Sequence, residues 1–257
     1  MISSNFHLAN SDQAVLAVAI HNGHHLPEAL IPYTPLSDAI RFREEDPYTG
    51  DIAGYFDNHV IVGTSRFAVD LNRDLQHAVY LRPEDAWGLN VRQPDLPESL
   101  LKALYESYTN WYSALSYQID RILGRHPFLF VFDIHSYNHR RGGATVQPAP
   151  QSENPDIILG RSNMPQKLYP WVEKLRKRLD QQDFFGHPLD VRCDVKFSGG
   201  HLSRWLHDSY PDKLICIAVE FKKIFMDEHS GKLNPVSLAR LRDIFGQESK
   251  AWLTDMS

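Results

Sequence analysis

Four short apolar runs, each delivering a polar or ionisable group at its end, constrain this chain more than any other feature. Ala14 to Ile20 reads AVLAVAI and ends at His21-Asn22-Gly23-His24. His59 to Gly63 leads through Thr64-Ser65-Arg66 into Phe67-Ala68-Val69-Asp70, then Leu71-Asn72-Arg73. Phe128 to Phe132 (FLFVF) stops at Asp133-Ile134-His135-Ser136, and Leu214 to Val219 (LICIAV) stops at Glu220. Short continuous apolar runs read as strands buried on both faces, the habit of parallel sheets. Between them, Pro97 to Leu123 carries Leu, Tyr and Ala at helical spacing, and Leu168 to Leu179 is amphipathic with a charged face. The alternation predicts an α/β fold: a single domain over residues 1–257, with a mixed, largely parallel sheet flanked by helices on both faces. Sites in such folds form beyond the carboxyl ends of the strands. Arg140 to Asn163, with Gly142-Gly143 and three prolines, reads as a long loop and a rim or lid.

At 257 residues and 42% apolar the chain can bury a sizeable core. A formal charge of -5, with no basic tract, excludes a nucleic-acid backbone as main partner. No apolar run is long enough to cross a bilayer, and Met1 to Asn10 lacks the charged-then-apolar order of a leader, so a cytoplasmic protein is expected. Cys193 and Cys216 are too few for a disulfide framework and read as buried thiols. Thirteen histidines are the unusual count, and they direct attention to metal or proton chemistry.

His21 and His135 each follow a buried run, which aims an imidazole out of the sheet edge. Two imidazoles plus a carboxylate, with a fourth position left for water, are the usual ligands of a hydrolytic zinc. The carboxylate candidates lie in Glu44-Glu45-Asp46, which also reads as a solvated turn. Asp133, two residues before His135, is placed to accept the remaining ring N–H. Glu220 at a strand tip is costly unless paired or used; it is either an ion-pair partner of Lys222, Lys223 or an arginine, or a general base. Arg73, with Arg66 as second candidate, offers a fork for a carboxylate or an oxyanion, or neutralises Asp70 or Asp74. Lys196 to His201 is a glycine-bearing loop whose N–H groups and His201 could approach a substrate, or a plain turn.

Taken in order, these segments resemble the N-formylglutamate amidohydrolase family, whose fold is similar to the zinc carboxypeptidases. The resemblance runs from His21 to Glu228. It is carried by Ser65-Arg66-Phe67 with Asp70-Leu71-Asn72-Arg73, Asp133-Ile134-His135-Ser136, Pro155 to Gly160, Phe197-Ser198-Gly199-Gly200-His201, and Val219-Glu220 with Phe225 to Glu228. It implies Zn²⁺ held by His21, Asp46 and His135, with Glu220 and Arg73 catalytic and Arg66, Asn72 and His201 at the substrate. Carboxypeptidases place a metal glutamate three residues after the first histidine, where this chain has His24. The acid must therefore come from elsewhere: Asp46 matches best by its spacing to Ser65-Arg66, Glu45 or Glu44 is the alternative, and His24 itself is a further donor. The implied partner is a small N-acyl amino acid, N-formylglutamate above all, cleaved by a metal-dependent amidohydrolase. A carboxypeptidase, another N-acyl amino acid deacylase, a non-catalytic module that binds acidic ligands, and an esterase using Ser136 are the alternatives. The last lacks a G-x-S-x-G elbow.

Overall fold

A computed structural model describes residues 2–9 and 13–256. Met1 and Asn10, at the ends of the stretch read for a leader, lie outside them, as does Ser257 at the end of the expected domain.

Nine strands and six α-helices follow one another among these residues. In chain order they are β1 (Ser4–Leu8), β2 (Val15–Ala19), α1 (Asp38–Glu44), α2 (Thr49–Ala53), β3 (Asn58–Val62), α3 (Glu98–Leu123), β4 (Leu129–Tyr137) and β5 (Ile157–Gly160). They continue as α4 (Tyr169–Leu179), β6 (Asp183–Phe184), β7 (His187–Pro188), β8 (Val191–Cys193), α5 (His201–Ser209), β9 (Leu214–Lys222) and α6 (Pro235–Met256). Seven strands form one sheet in the order β1-β3-β2-β4-β9-β5-β8, and β6 and β7 make a separate hairpin. The pairs β2/β3, β2/β4, β4/β9 and β5/β8 are parallel, whereas β1/β3 and β5/β9 are antiparallel. The expected mixed, largely parallel sheet is the one observed.

Alternation along the strands divides the core in two. On one face Val15, Ala17, Phe132, Ile134, Ile217 and Val219 pack against α2, α4 and α6. On the other, Leu16, Val18, Val131, Leu129, Leu214 and Cys216 pack against α3 and α5. Fully burying such an aliphatic side chain contributes about 1.5–3 kcal/mol, so two such layers fix the central strands firmly. Cys216 is buried and Cys193 half-buried, both as free thiols. No helix among the described residues is long and apolar enough to cross a membrane.

The structure corrects three sequence expectations. β4 does not stop at Asp133, nor β9 at Glu220; they continue to Tyr137 and Lys222. The apolar positions Leu129 and Val131 are followed on the same face by Asp133 and His135, so the period of two persists while one face turns ionisable. Arg140 to Asn163 is not all loop, because Ile157–Gly160 enters the sheet beside β9.

Candidate active site

His21 follows β2 directly, in a turn that depends on Gly23. A Cβ on Gly23 would lie 2.2 Å from the carbonyl carbon of Gly63, at the tip of β3. The two main chains are then stitched together, His25 N–H donating to Gly63 O at 3.1 Å and Ser65 N–H to His25 O at 2.8 Å.

The acids arrive from α1. Ser37 caps this helix by accepting from the Ile40 N–H, and the helix ends at Glu44, with Glu45 already extended at φ -78°, ψ 175°. Three consecutive carboxylates therefore leave in different directions. Glu44 meets Arg141 at 3.1 Å. Glu45 accepts from Ser65 Oγ and lies 2.6 Å from His24 Nδ1. Asp46, whose N–H donates to His21 O at 2.9 Å, turns its side chain inward. There Asp46 Oδ2 stands 3.0 Å from His135 Nδ1 and 3.3 Å from His21 Nδ1. The two imidazole centroids are 4.9 Å apart.

Behind each ring is a second carboxylate. His21 Nε2 donates to Asp70 Oδ1 at 2.7 Å, and His135 Nε2 lies 2.9 Å from Asp133 Oδ1. This arrangement aims both Nδ1 atoms at Asp46. Burial opposes charge on His135, yet Asp133, Asp46 and Glu220 outweigh it and hold its pKa well above the ordinary value. Burial likewise opposes ionisation of Asp46, and the two histidines reverse that, lowering its pKa.

Glu220 comes from the neighbouring strand, where the parallel register pairs it with His135. Neither lysine beside it is its partner. Lys222 Nζ bonds Asp156 at 2.8 Å, and Lys223 Nζ donates to the carbonyls of Arg43 and Glu45 at 2.7 and 2.8 Å. Among the described residues Glu220 has no ion-pair partner within reach of its carboxylate. Burial is the main influence on it, and its pKa is pushed up to about 8. An unpaired carboxyl with a raised pKa, facing a cleft, is the property expected of a proton-transfer group.

The cleft has a volume of about 260 Å³ and is lined by His21, Asp46, His135 and Glu220 together with Arg66, Asn72, Arg73, Arg141, Gly200 and Lys223. Arg66 is tied to Asp70 at 2.7 Å and lies over Trp87 at 5.0 Å. Arg73 has no carboxylate partner among the described residues. Asn72 Oδ1 accepts from Leu202 N–H in the first turn of α5. His201 turns away from the cleft: its Nε2 lies 3.1 Å from Tyr108 Oη, and that hydroxyl donates to Arg73 O at 2.8 Å.

Among the described residues, His21, Asp46 and His135 form a group of buried donors that can hold a metal ion, one ligand atom from each lying within 4.8 Å of the others. Ligands on tetrahedral zinc stand about 3.3 Å apart, close to the 3.3 and 3.0 Å separations here. His21 Nδ1 is buried with no hydrogen-bond partner, an orphan that a cation at this point satisfies. The donor set therefore fits a divalent ion.

The model of the N-formylglutamate amidohydrolase family matches residues 13–226. The chain belongs to this family. The family is one of amide hydrolases. In structure it is similar to the N-formylglutamate amidohydrolase from Ralstonia eutropha JMP134, with a TM-score of 0.72 at 13% identity, covering 98% of this chain and 97% of that one. A gene product from Agrobacterium tumefaciens aligns with a TM-score of 0.67 at 17% identity, covering 96% and 95%. At these identities the likeness is one of fold. No curated protein matches the sequence.

Of the residues singled out in the sequence, the structure gathers His21, Asp46, His135, Glu220, Arg66, Asn72 and Arg73 around one cleft. His24, Glu45 and His201 lie outside its lining, and Glu44 stands within it, engaged with Arg141. The sequence reading missed Asp70 as the partner of His21, although Asp133 before His135 offered the same residue type in the same service.

Proposed function

We propose that this member of the family hydrolyses the N-formyl amide of an acidic amino acid, N-formyl-L-glutamate, to formate and glutamate. The observation that carries the proposal is the unpaired Glu220 carboxyl standing in register beside His135, where two imidazoles with carboxylates behind them converge on Asp46. Zn²⁺ is the ion assigned to His21, Asp46 and His135, because two imidazoles and a carboxylate form a characteristic hydrolytic zinc set. When bound, it supplies Lewis acidity toward the acyl oxygen and the attacking water.

Glu220 accepts a proton as water adds to the acyl carbon, then returns it to the nitrogen as the C–N bond breaks. Arg73, free of any carboxylate among the described residues, binds the α-carboxylate of the substrate through its fork. Arg66, fixed by Asp70, presents its charge to the oxyanion that develops. Asn72 has spent its carbonyl on α5 and offers its amide donors to the same carboxylate. His201 acts at one remove, holding Tyr108 and through it the main chain of Arg73. A cleft of about 260 Å³ lies below the roughly 300–1,000 Å³ of sites for drug-sized ligands, which favours a small amino-acid derivative over a peptide.

Elemental analysis of the purified protein, paired with a screen of N-acyl amino acids scored by amine release, tests this reading. One zinc per chain and turnover of N-formylglutamate that chelation abolishes are expected. Activity that survives removal of the metal would overturn the proposal.

A further inference from the structure

One side of the cleft, built from the β4–β5 connection, the residue after β9 and the β8–α5 connection, gathers three cations. Arg141 and Lys223 line it, and Lys196 adjoins Phe197, which lines it as well. The Lys223 ammonium is committed to two main-chain carbonyls and the Lys196 ammonium to Asn154 Oδ1 at 2.9 Å. Burial pushes the pKa of Lys223 down to about 8, against the nearby acids, and the Arg141 charge pushes the same way. Among the described residues, Glu44 is the only carboxylate paired with any of these three cations.

The Glu44 pair has an informative form. Arg141 Nη1 and Nη2 reach Glu44 Oε1 and Oε2 at 3.4 and 3.1 Å, two parallel contacts of one fork. The Arg141 side chain is 56% exposed and Glu44 9%. Both line the cleft that holds Glu220. Arg141, the exposed member, is the one that can turn to another carboxylate, and Glu44 then still has Arg43 Nη1 at 3.7 Å. The Glu44 side chain is also, group for group, the one an N-acylglutamate presents.

We propose that Arg141 is the specificity-determining residue for the side-chain carboxylate of the substrate, and that Glu44 is a built-in stand-in which occupies Arg141 until an acidic substrate displaces it. The assignment rests on the hydrolase reading above. A substrate bound this way has its α-carboxylate on Arg73 and its side-chain carboxylate on Arg141, two arginines delivered by different connections of the sheet.

The test compares N-formyl-L-glutamate with N-formyl-L-glutamine, its neutral near-isostere. Arg141→Met lowers the preference for glutamate in kcat/KM by about 10- to 100-fold, the worth of charged hydrogen bonds, chiefly through KM for glutamate. Glu44→Gln, which removes the competing charge, lowers KM for N-formylglutamate. A glutamate preference in Arg141→Met equal to that of the wild type overturns the inference. Calorimetric binding of glutarate, a dicarboxylate with no amide, separates the two readings. Binding about tenfold weaker in Arg141→Met supports the carboxylate site even if no N-acyl amino acid is split, an outcome that would remove the hydrolase reading alone. Equal glutarate binding in the two proteins overturns the Arg141 assignment whatever the turnover.

Discussion

Asp70 and Asp133 both stand behind an imidazole, yet their surroundings differ. Asp70 is saturated: it accepts from His21 Nε2 and Asn72 N–H at 2.7 Å each, from Arg66 at 2.7 Å, and from the Tyr80 hydroxyl. Although burial opposes its charge, Arg66 and then His21 hold its pKa well below the ordinary value. Asp133 has His135 at 2.9 Å, but neither of its oxygens accepts a well-aligned hydrogen bond. Glu220, on the next strand, has no ion-pair partner among the described residues. The carboxylate behind His21 is thus fully engaged, and the one behind His135 is left unsatisfied. Unmet hydrogen-bonding capacity in a buried site is a reservoir for chemistry.

The contrast is tested most severely at Glu220. Glu220→Gln keeps the shape and removes the base, so turnover should fall by about 10²- to 10⁴-fold while zinc content by elemental analysis is unchanged; retained activity would remove the assignment. The same variant has a signature in the metal-free protein. Burial raises the Glu220 pKa from 4.5 to about 8, so the folded chain keeps a proton that the unfolded chain releases. The resulting penalty is absent below pH 4.5, grows as pH rises, and is complete above about 8. Metal-free Glu220→Gln should therefore melt higher than the metal-free wild type at pH 8.5 and level with it at pH 4, and the opposite trend would show that Glu220 is stabilised as the anion.

At the saturated carboxylate the expected effect is on folding. Asp70→Asn leaves the Arg66 guanidinium buried without its counter-charge, which costs about 3–5 kcal/mol in a denaturant titration. A loss near 1 kcal/mol would mean that Asp70 is not engaged as described. Asp133→Asn should be milder, lowering zinc affinity by about 10- to 100-fold in chelator competition with little change in the denaturation midpoint. If it destabilises as much as Asp70→Asn, the two carboxylates are equivalent and the contrast fails.

Much of this was legible in the chain. The buried runs named the central strands because a sheet covered on both faces needs continuous apolar residues, and these runs carry His21, His135 and Glu220 to one edge. Strand ends were misread where one face becomes ionisable, as at Asp133 and His135, because polar residues ordinarily signal an exit from a sheet. The four residues of β5 were hidden among prolines and glycines. Spacing to Ser65-Arg66 favoured Asp46 over Glu45 and Glu44, and the physical reason for the choice lies in where α1 ends and in the bond from Asp46 N–H to His21 O. Asp70 was read only as a carboxylate for Arg66 or Arg73, and its bond to His21 was hidden because 49 residues separate the two, so that only the fold brings them together.

Gly23 shows how far the demands of the site extend. The gap between its α-carbon and the Gly63 carbonyl admits a hydrogen and nothing larger. A single methyl there would act as a wedge, prising the first imidazole from its acid while leaving every reacting group chemically intact. A position with no side chain to offer is thus as exacting as the ligands themselves.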